Sequence, residues 1–137
     1  MPRFRYTSPE PQSPFRAGMP LLPVTLTSQF GIIKANGLVD SGAMINVLPY
    51  DLGAQLRLSS TQPAISIYIG GGFANLPARI VVVMGQVGEC APVKMVFAWT
   101  QDPQRQPPLI FGQINFFRAF QVTLNGLEGW FDVQPIG

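Results

Sequence analysis

Asp40 is where chemistry in this chain has to be sought. It sits in "NGLVDSGAMINVLP" (residues 36–49), after an apolar "GLV", ahead of the tight turn Ser41-Gly42-Ala43 and a second apolar stretch. Taken alone, an Asp opening a turn that contains a Gly is ordinary β-turn chemistry. The flanks ask for more. They half-bury the carboxylate, and a buried carboxylate is costly unless it is hydrogen-bonded or shares a proton. Few other groups can act. The 137 residues contain no histidine, which removes Ser-His-Asp and Cys-His nucleophiles and histidine-based zinc sites. The lone Cys90 forms no intrachain disulfide and belongs to no metal-ligand pattern. The remaining carboxylates are Glu10, Asp51, Glu89, Asp102, Glu128 and Asp132. Acid–base catalysis has to use these or Asp40, or else a Tyr or Lys.

The elements that must position Asp40 read as strands. Residues 1–20 carry prolines at 2, 9, 11, 14 and 20, which forbid a helix and any central strand, so this segment is expected to be a flexible or extended arm. Its Pro11-Gln-Ser-Pro14 spacing is that of a ligand for proline-binding modules, but a plain linker is the preferred reading. The folded domain is expected over residues 21–137. "LLPVTLTSQ" turns Val24 and Leu26 inward against Thr25 and Thr27, and "FGIIKANGLVD" carries another strand, or a hairpin around Asn36-Gly37. "AMINVLP" is a short strand stopped by Pro49, and "PYDLGAQL" has helical spacing from Leu52 to Leu56 that Gly53 keeps short. "AISIYI" and "ARIVVVMG" are β-branched runs separated by "GGGFANLP", and "APVKMVFAW" is a further strand. After the polar loop "TQDPQRQPP" come the strand "LIF", Gly112, and "QINFFRAF" as the best helix candidate. "FQVTLNGLEGWFDV" is expected to be a hairpin turning at Asn125-Gly126.

Taken together, "VDSGAMINVLP", the glycine-rich "YIGGGF" between two strands and "LIFG" ahead of a helix resemble the retroviral-type aspartic proteases, the retropepsin-like family. The likeness runs in order over residues 21–135, and "VDSGAMINVLP" is its specific part. The resemblance implies an all-β fold: a closed retropepsin-like β barrel with a flap hairpin and one short C-terminal helix, working as a homodimer. It implies that Asp40 is the single catalytic residue of each chain, paired with its symmetry mate to hydrolyse peptide bonds in a peptide or protein substrate. Ser41 would lock the two active-site loops across the dimer, and Gly42 would accept substrate backbone, with Ala43 completing the loop. Gly70, Gly71, Gly72 and Phe73 would form the flap tip. The chemistry agrees with the residue inventory. Peptide hydrolysis without metal, histidine or a nucleophile needs one carboxylate to activate water and one carboxylic acid to protonate the carbonyl oxygen. Two carboxyls about 3 Å apart share one proton, and a two-fold interface supplies the second from the same gene product.

Two positions depart from the viral pattern. An Asp usually follows Asp-Thr/Ser-Gly-Ala and pairs with an Arg after the later Gly; here those places hold Met44 and Gln113. Both partners are missing together, so no buried charge is orphaned. The change points toward cellular or bacterial relatives. The alternative reading keeps the same barrel as a non-catalytic dimerisation or peptide-binding module; a third makes it a structural β domain with an incidental turn. No cofactor or metal is expected. Charged residues are only 12% of the chain, against about 25% on average, and a surface so poor in charge is expected to self-associate. From residue 21 onward six basic residues balance six acidic ones, so no basic face for nucleic acid is expected. No apolar run approaches the roughly 20 residues that cross a bilayer. Arg3, Arg5 and the prolines do not make a signal peptide, so a cytoplasmic location is expected. Trp99 and Trp130 are read as core or interface aromatics, Phe116, Phe117 and Phe120 as the buried helix face, Cys90 as a small buried hydrophobe, and Asp102 as a solvated turn residue.

Overall fold

The structure is a computed structural model that describes residues 2–8, 18–59, 64–67 and 75–137. It is mostly strand with two short helices. In chain order the elements are β1 (Arg3–Arg5), β2 (Leu21–Thr27), β3 (Ile32–Val39), β4 (Asn46–Leu48), α1 (Tyr50–Gln55), β5 (Ala64–Ile67), β6 (Leu76–Gln86), β7 (Val93–Thr100), β8 (Ile110–Phe111), α2 (Phe116–Ala119), β9 (Phe120–Asn125) and β10 (Trp130–Pro135). Neither helix, nor any other among the described residues, is long and apolar enough to cross a membrane.

The larger sheet has the order β2-β3-β8-β4-β7-β6-β5, and β2 pairs in addition with β6. Period-2 alternation builds it. On β2, Leu22, Val24 and Leu26 are buried while Pro23 is exposed. Pro23 is tolerated because the β2–β6 pairing covers only residues 25–27, so the missing N–H falls where β2 has a single neighbour. Val81 and Val83 of β6 and Met95 and Phe97 of β7 close the same core from the other side. The candidate strand over residues 30–40 proves to be one strand and not a hairpin at Asn36-Gly37. β3 runs through both residues and pairs with all of β2, from Leu21↔Leu38 to Thr27↔Ile32. Gly37 is there for room, since the Phe111 ring lies where its Cβ would be.

The smaller sheet has the order β1-β10-β9 and joins residues 3–5 of the expected flexible or extended arm to the folded body. Residues 3–5 pair with Trp130–Asp132 of β10, Arg3 against Asp132, and Phe4 stacks on Phe131 at 5.4 Å between ring centroids. Tyr6 meets the same ring edge-on at 6.0 Å, and Thr7 bridges back to Met19. The prolines allow this because β1 is an edge strand, and two apolar rings supply the burial that holds it. The Pro11–Pro14 spacing lies outside the described residues. The C-terminal hairpin turns where expected but over four residues, 126–129. Asn125 ends the strand and its Oδ1 accepts the Glu128 N–H at 3.0 Å. The expected helix over residues 113–120 shrinks to the single turn α2. Asn115 ahead of it has φ 79, and Gln113 and Ile114 hydrogen-bond instead to the carbonyls of Ala43 and Met44 in the loop before β4. Phe116 and Phe120 are buried as expected and Phe117 is partly so, whereas Cys90 is only half-buried, at the end of the tight turn after β6.

An ionic clasp holds β1 in place. Arg3 Nε and Nη2 donate to the two Asp132 carboxylate oxygens at 2.8 and 3.0 Å, and the guanidinium lies 3.7 Å from the Trp130 ring centroid. The hydrogen bond from Arg3 holds the Asp132 carboxyl below its ordinary value. A lowered folded-state value means that the clasp contributes fully above the ordinary 3.8 and is lost as pH falls below that through the lowered value. The indole N–H signal of Trp130 in NMR should therefore move below pH 4 as β1 detaches. In Arg3→Ala the signal should already stand at its detached position at neutral pH. An unchanged indole signal in Arg3→Ala at neutral pH would show that the clasp does not hold the strand.

Candidate active site

Asp40 follows β3 directly and opens the loop of residues 40–45 that leads into β4. These two strands are not neighbours. β8 lies between them, parallel to β3 (Leu38↔Ile110, Val39↔Phe111) and antiparallel to β4 (Val47↔Ile110). The loop therefore arches over the end of β8. Each turn of that arch is fixed by backbone bonds. Asp40 N–H donates to the Phe111 carbonyl at 3.0 Å, and Ala43 N–H donates to the Asp40 carbonyl at 3.1 Å. Gln113 N–H and Ile114 N–H donate to the carbonyls of Ala43 and Met44 at 2.8 and 2.7 Å. Gly42 N–H donates to Asp40 Oδ1 at 2.9 Å, the side-chain-to-backbone bond that an Asp opening a tight turn makes.

The carboxylate is half-buried, as its apolar flanks imply, while Ser41 and Gly42 face solvent and Ala43 is partly covered. The structure thus brings Asp40, Ser41, Gly42 and Ala43 into one loop, with the 112–114 segment laid against it. Gln113 has a definite task where an arginine was anticipated: its Nε2 donates to the Ser41 carbonyl at 2.7 Å. Met44 points its thioether into solvent, 74% exposed, beside Ile114 at 38%. Two exposed apolar side chains therefore stand on the Asp40 loop and on the segment laid against it. Gly70, Gly71, Gly72 and Phe73 lie outside the described residues. The strands on either side of them, β5 and β6, pair antiparallel up to Ile67↔Leu76.

The other described acids are engaged elsewhere or stand apart. Asp132 belongs to the Arg3 clasp. Asp102, half-buried in its turn, accepts the Gln104 N–H at 2.8 Å and Arg105 Nε at 3.1 Å, which hold its carboxyl below the ordinary value. Among the described residues no three His, Cys, Asp or Glu side chains gather as a metal site. Sequence reasoning missed two participants, Asn46 and Asn115. Asn46 is fully buried, and its Oδ1 accepts the Gly112 N–H at 2.8 Å. The only signal was an amide inside the otherwise apolar run "INVLP". No protein-family model matches the chain, and no curated protein matches it.

Gly112 is the tightest point of the arrangement. A Cβ there would stand 2.8 Å from the carbonyl oxygens of both Ala43 and Ile45, and backbone cannot step aside as a flexible side chain can. Gly112→Ala should cost about 1–3 kcal/mol in denaturant unfolding, the usual toll of overpacking. Gly126→Ala, where a Cβ meets nothing within 4 Å, should be near neutral. Equal midpoints for the two variants would show that the loop has slack at Gly112.

Proposed function

We propose that this chain is an aspartic endopeptidase of the retropepsin-like kind, active as a homodimer in which each protomer supplies one Asp40. The observation that carries the reading is the placement of Asp40, half-buried at the end of β3 on a loop clamped over β8 by backbone bonds. Such a clamp holds a carboxylate rigidly at a surface, which a second copy related by two-fold symmetry can meet with its own. The strand pairings add support. They run β2–β3–β8–β4–β7–β6 and back to β2, an order compatible with the closed barrel that the family likeness implies. The exposed Met44 on the Asp40 loop and Ile114 on the segment against it suit an interface that excludes water from a dyad.

The proposed reaction uses nothing beyond the two carboxyls and water. One Asp40, ionised, takes a proton from a water molecule as its oxygen attacks the scissile carbonyl carbon. The other Asp40, protonated, gives its proton to the carbonyl oxygen. The tetrahedral diol then collapses: one hydroxyl returns its proton to the ionised Asp40 as the carbonyl re-forms, the C–N bond breaks, and the leaving nitrogen takes the proton of the other Asp40, which restores the singly protonated pair. Only the singly protonated pair is competent.

The test is hydrolysis of a peptide library by purified chain, with and without pepstatin. Asp40→Asn should lower the rate by at least about 10²–10⁴-fold while leaving the dimer intact, because the amide keeps the shape but cannot act as a base. Clean Asp40→Asn protein that still cleaves rules out the aspartic mechanism. An inactive wild-type dimer points instead to the non-catalytic module. Rate against pH should be bell-shaped, bounded by two macroscopic pKa values of the pair. Specific activity should fall on dilution through the dimer dissociation constant, with little change between low and high salt because Met44 and Gln113 carry no charge. Activity per chain that holds constant down to a monomer verified by sizing would defeat the homodimer.

A further inference from the structure

We infer that the Asn46–Asn115 pair, buried at Asn46 and half-buried at Asn115, is the device that sets the position of the Asp40 loop, with both asparagines acting as positioning residues. Asn46 opens β4, which pairs in parallel with Phe97–Trp99 of β7. Beyond that pairing, towards the start of β7, the backbone groups of Val96 and Lys94 on this edge have no strand partner from β4. The two carboxamides take their place. Asn46 Nδ2 donates to the Val96 carbonyl at 3.1 Å, Asn115 Oδ1 accepts the Val96 N–H at 3.1 Å, and Asn115 Nδ2 donates to the Lys94 carbonyl at 3.1 Å. The amides also meet each other, Asn46 Nδ2 to Asn115 Oδ1 at 3.4 Å. The remaining Asn46 atom, Oδ1, accepts the Gly112 N–H.

A buried amide is costly unless its donors and acceptors are used, and here both Asn46 hydrogens and its oxygen are engaged. The chemistry of asparagine explains the residue type. A carboxylate could not donate to Val96 or Lys94, and a leucine would leave the Gly112 N–H without an acceptor. At residue 115 the backbone adds a second requirement, because φ 79 is a region that asparagine enters more readily than most side chains. The mechanical consequence follows from the neighbours. Residues 112–114 are pinned to β7 through this pair, and the carbonyls of Ala43 and Met44 hang from the N–H groups of Gln113 and Ile114. Asp40 is thereby referred to β7 through two side chains outside the reacting groups, one near it in sequence and one far along the chain.

The inference rests on the peptidase reading for its kinetic arm only, and the experiment has a second arm that does not. In the full chain, Asn115→Gly suits the positive φ and deletes all three side-chain bonds of Asn115. Val133→Ala, a buried residue of β10, is the control for general stability loss. Amide hydrogen exchange at Gly42, Gly112, Gln113 and Ile114 should quicken by about tenfold or more in Asn115→Gly relative to Val133→Ala. On a peptide substrate kcat should fall by about tenfold to a hundredfold with KM changed less than about threefold, as misplacing a catalytic group predicts. Asn46→Ser, which shortens the side chain but keeps β4, should reproduce both effects and serves if Asn115→Gly does not fold. Unchanged exchange at Gly42, or a kcat no lower than that of Val133→Ala, overturns the positioning role. A wild-type chain that cleaves nothing defeats the peptidase reading, and exchange at Gly42 still decides whether the pair holds the Asp40 loop.

Discussion

The molecule is organised around a backbone-to-backbone contact: Gly112 passing the carbonyls of Ala43 and Ile45 with no space for a side chain. Hydrogen bonds on either side of that crossing use the main chain of residues 40, 43 and 44 against residues 111, 113 and 114. Main-chain bonds of this kind vary little in geometry, so what they hold stands still. Beneath the crossing an aromatic series carries the load into the core. Phe111 tilts against Phe97 and stacks on Phe116, and Phe116 continues to Phe120 at centroid distances of 4.7 to 6.3 Å. Phe120 opens β9, so the ring series runs from the crossing to the smaller sheet.

The site is also built almost without charge. Where a guanidinium and a carboxylate could have braced the loop, the structure uses carboxamides: Gln113 on the Ser41 carbonyl, and Asn46 and Asn115 on β7. Neutral amides pay far less for burial than ions do, and their bonds are not screened by salt. A buried pair of opposite charges must be matched closely merely to recover its desolvation. Carboxamides also leave Asp40 as the one ionisable side chain in the stretch from residue 35 to residue 49. That isolation suits the shared-proton pair proposed above.

Much of the fold was legible because it is written locally. The alternation of Leu22, Val24 and Leu26, the β-branched run of β6 and the Asp-Ser-Gly turn each carry their signal within a few residues. What escaped is long-range. Asn36-Gly37 has the composition of a hairpin turn, yet Gly37 stays in a strand because Phe111, far along the chain, lies over it. The arm looked unpaired because the partners that hold Phe4 and Arg3 are Phe131 and Asp132, at the other end of the chain. "QINFFRAF" has helical spacing, but its first residues spend their N–H groups on Ala43 and Met44 and only one turn remains. Asn46 and Asn115 could be seen as polar residues in apolar surroundings. Their joint task depends on a β7 edge that no local pattern reveals.

The position of β8 has a consequence for the order of assembly. The strands beside it come from residues 32–39 and 46–48, so the arch of residues 40–45 has nothing to close on until a segment some 60 to 70 residues later arrives, as the sequence separations of 66 and 72 between bonded partners express. Long-range closures of this sort lose loop entropy before contacts reward it, and they form late. On a ribosome the Asp40 loop would emerge before residues 110–115 and remain unformed until they had left the exit tunnel. The nascent chain is thus kept from presenting a finished carboxylate loop while the segment between them is still unfolded.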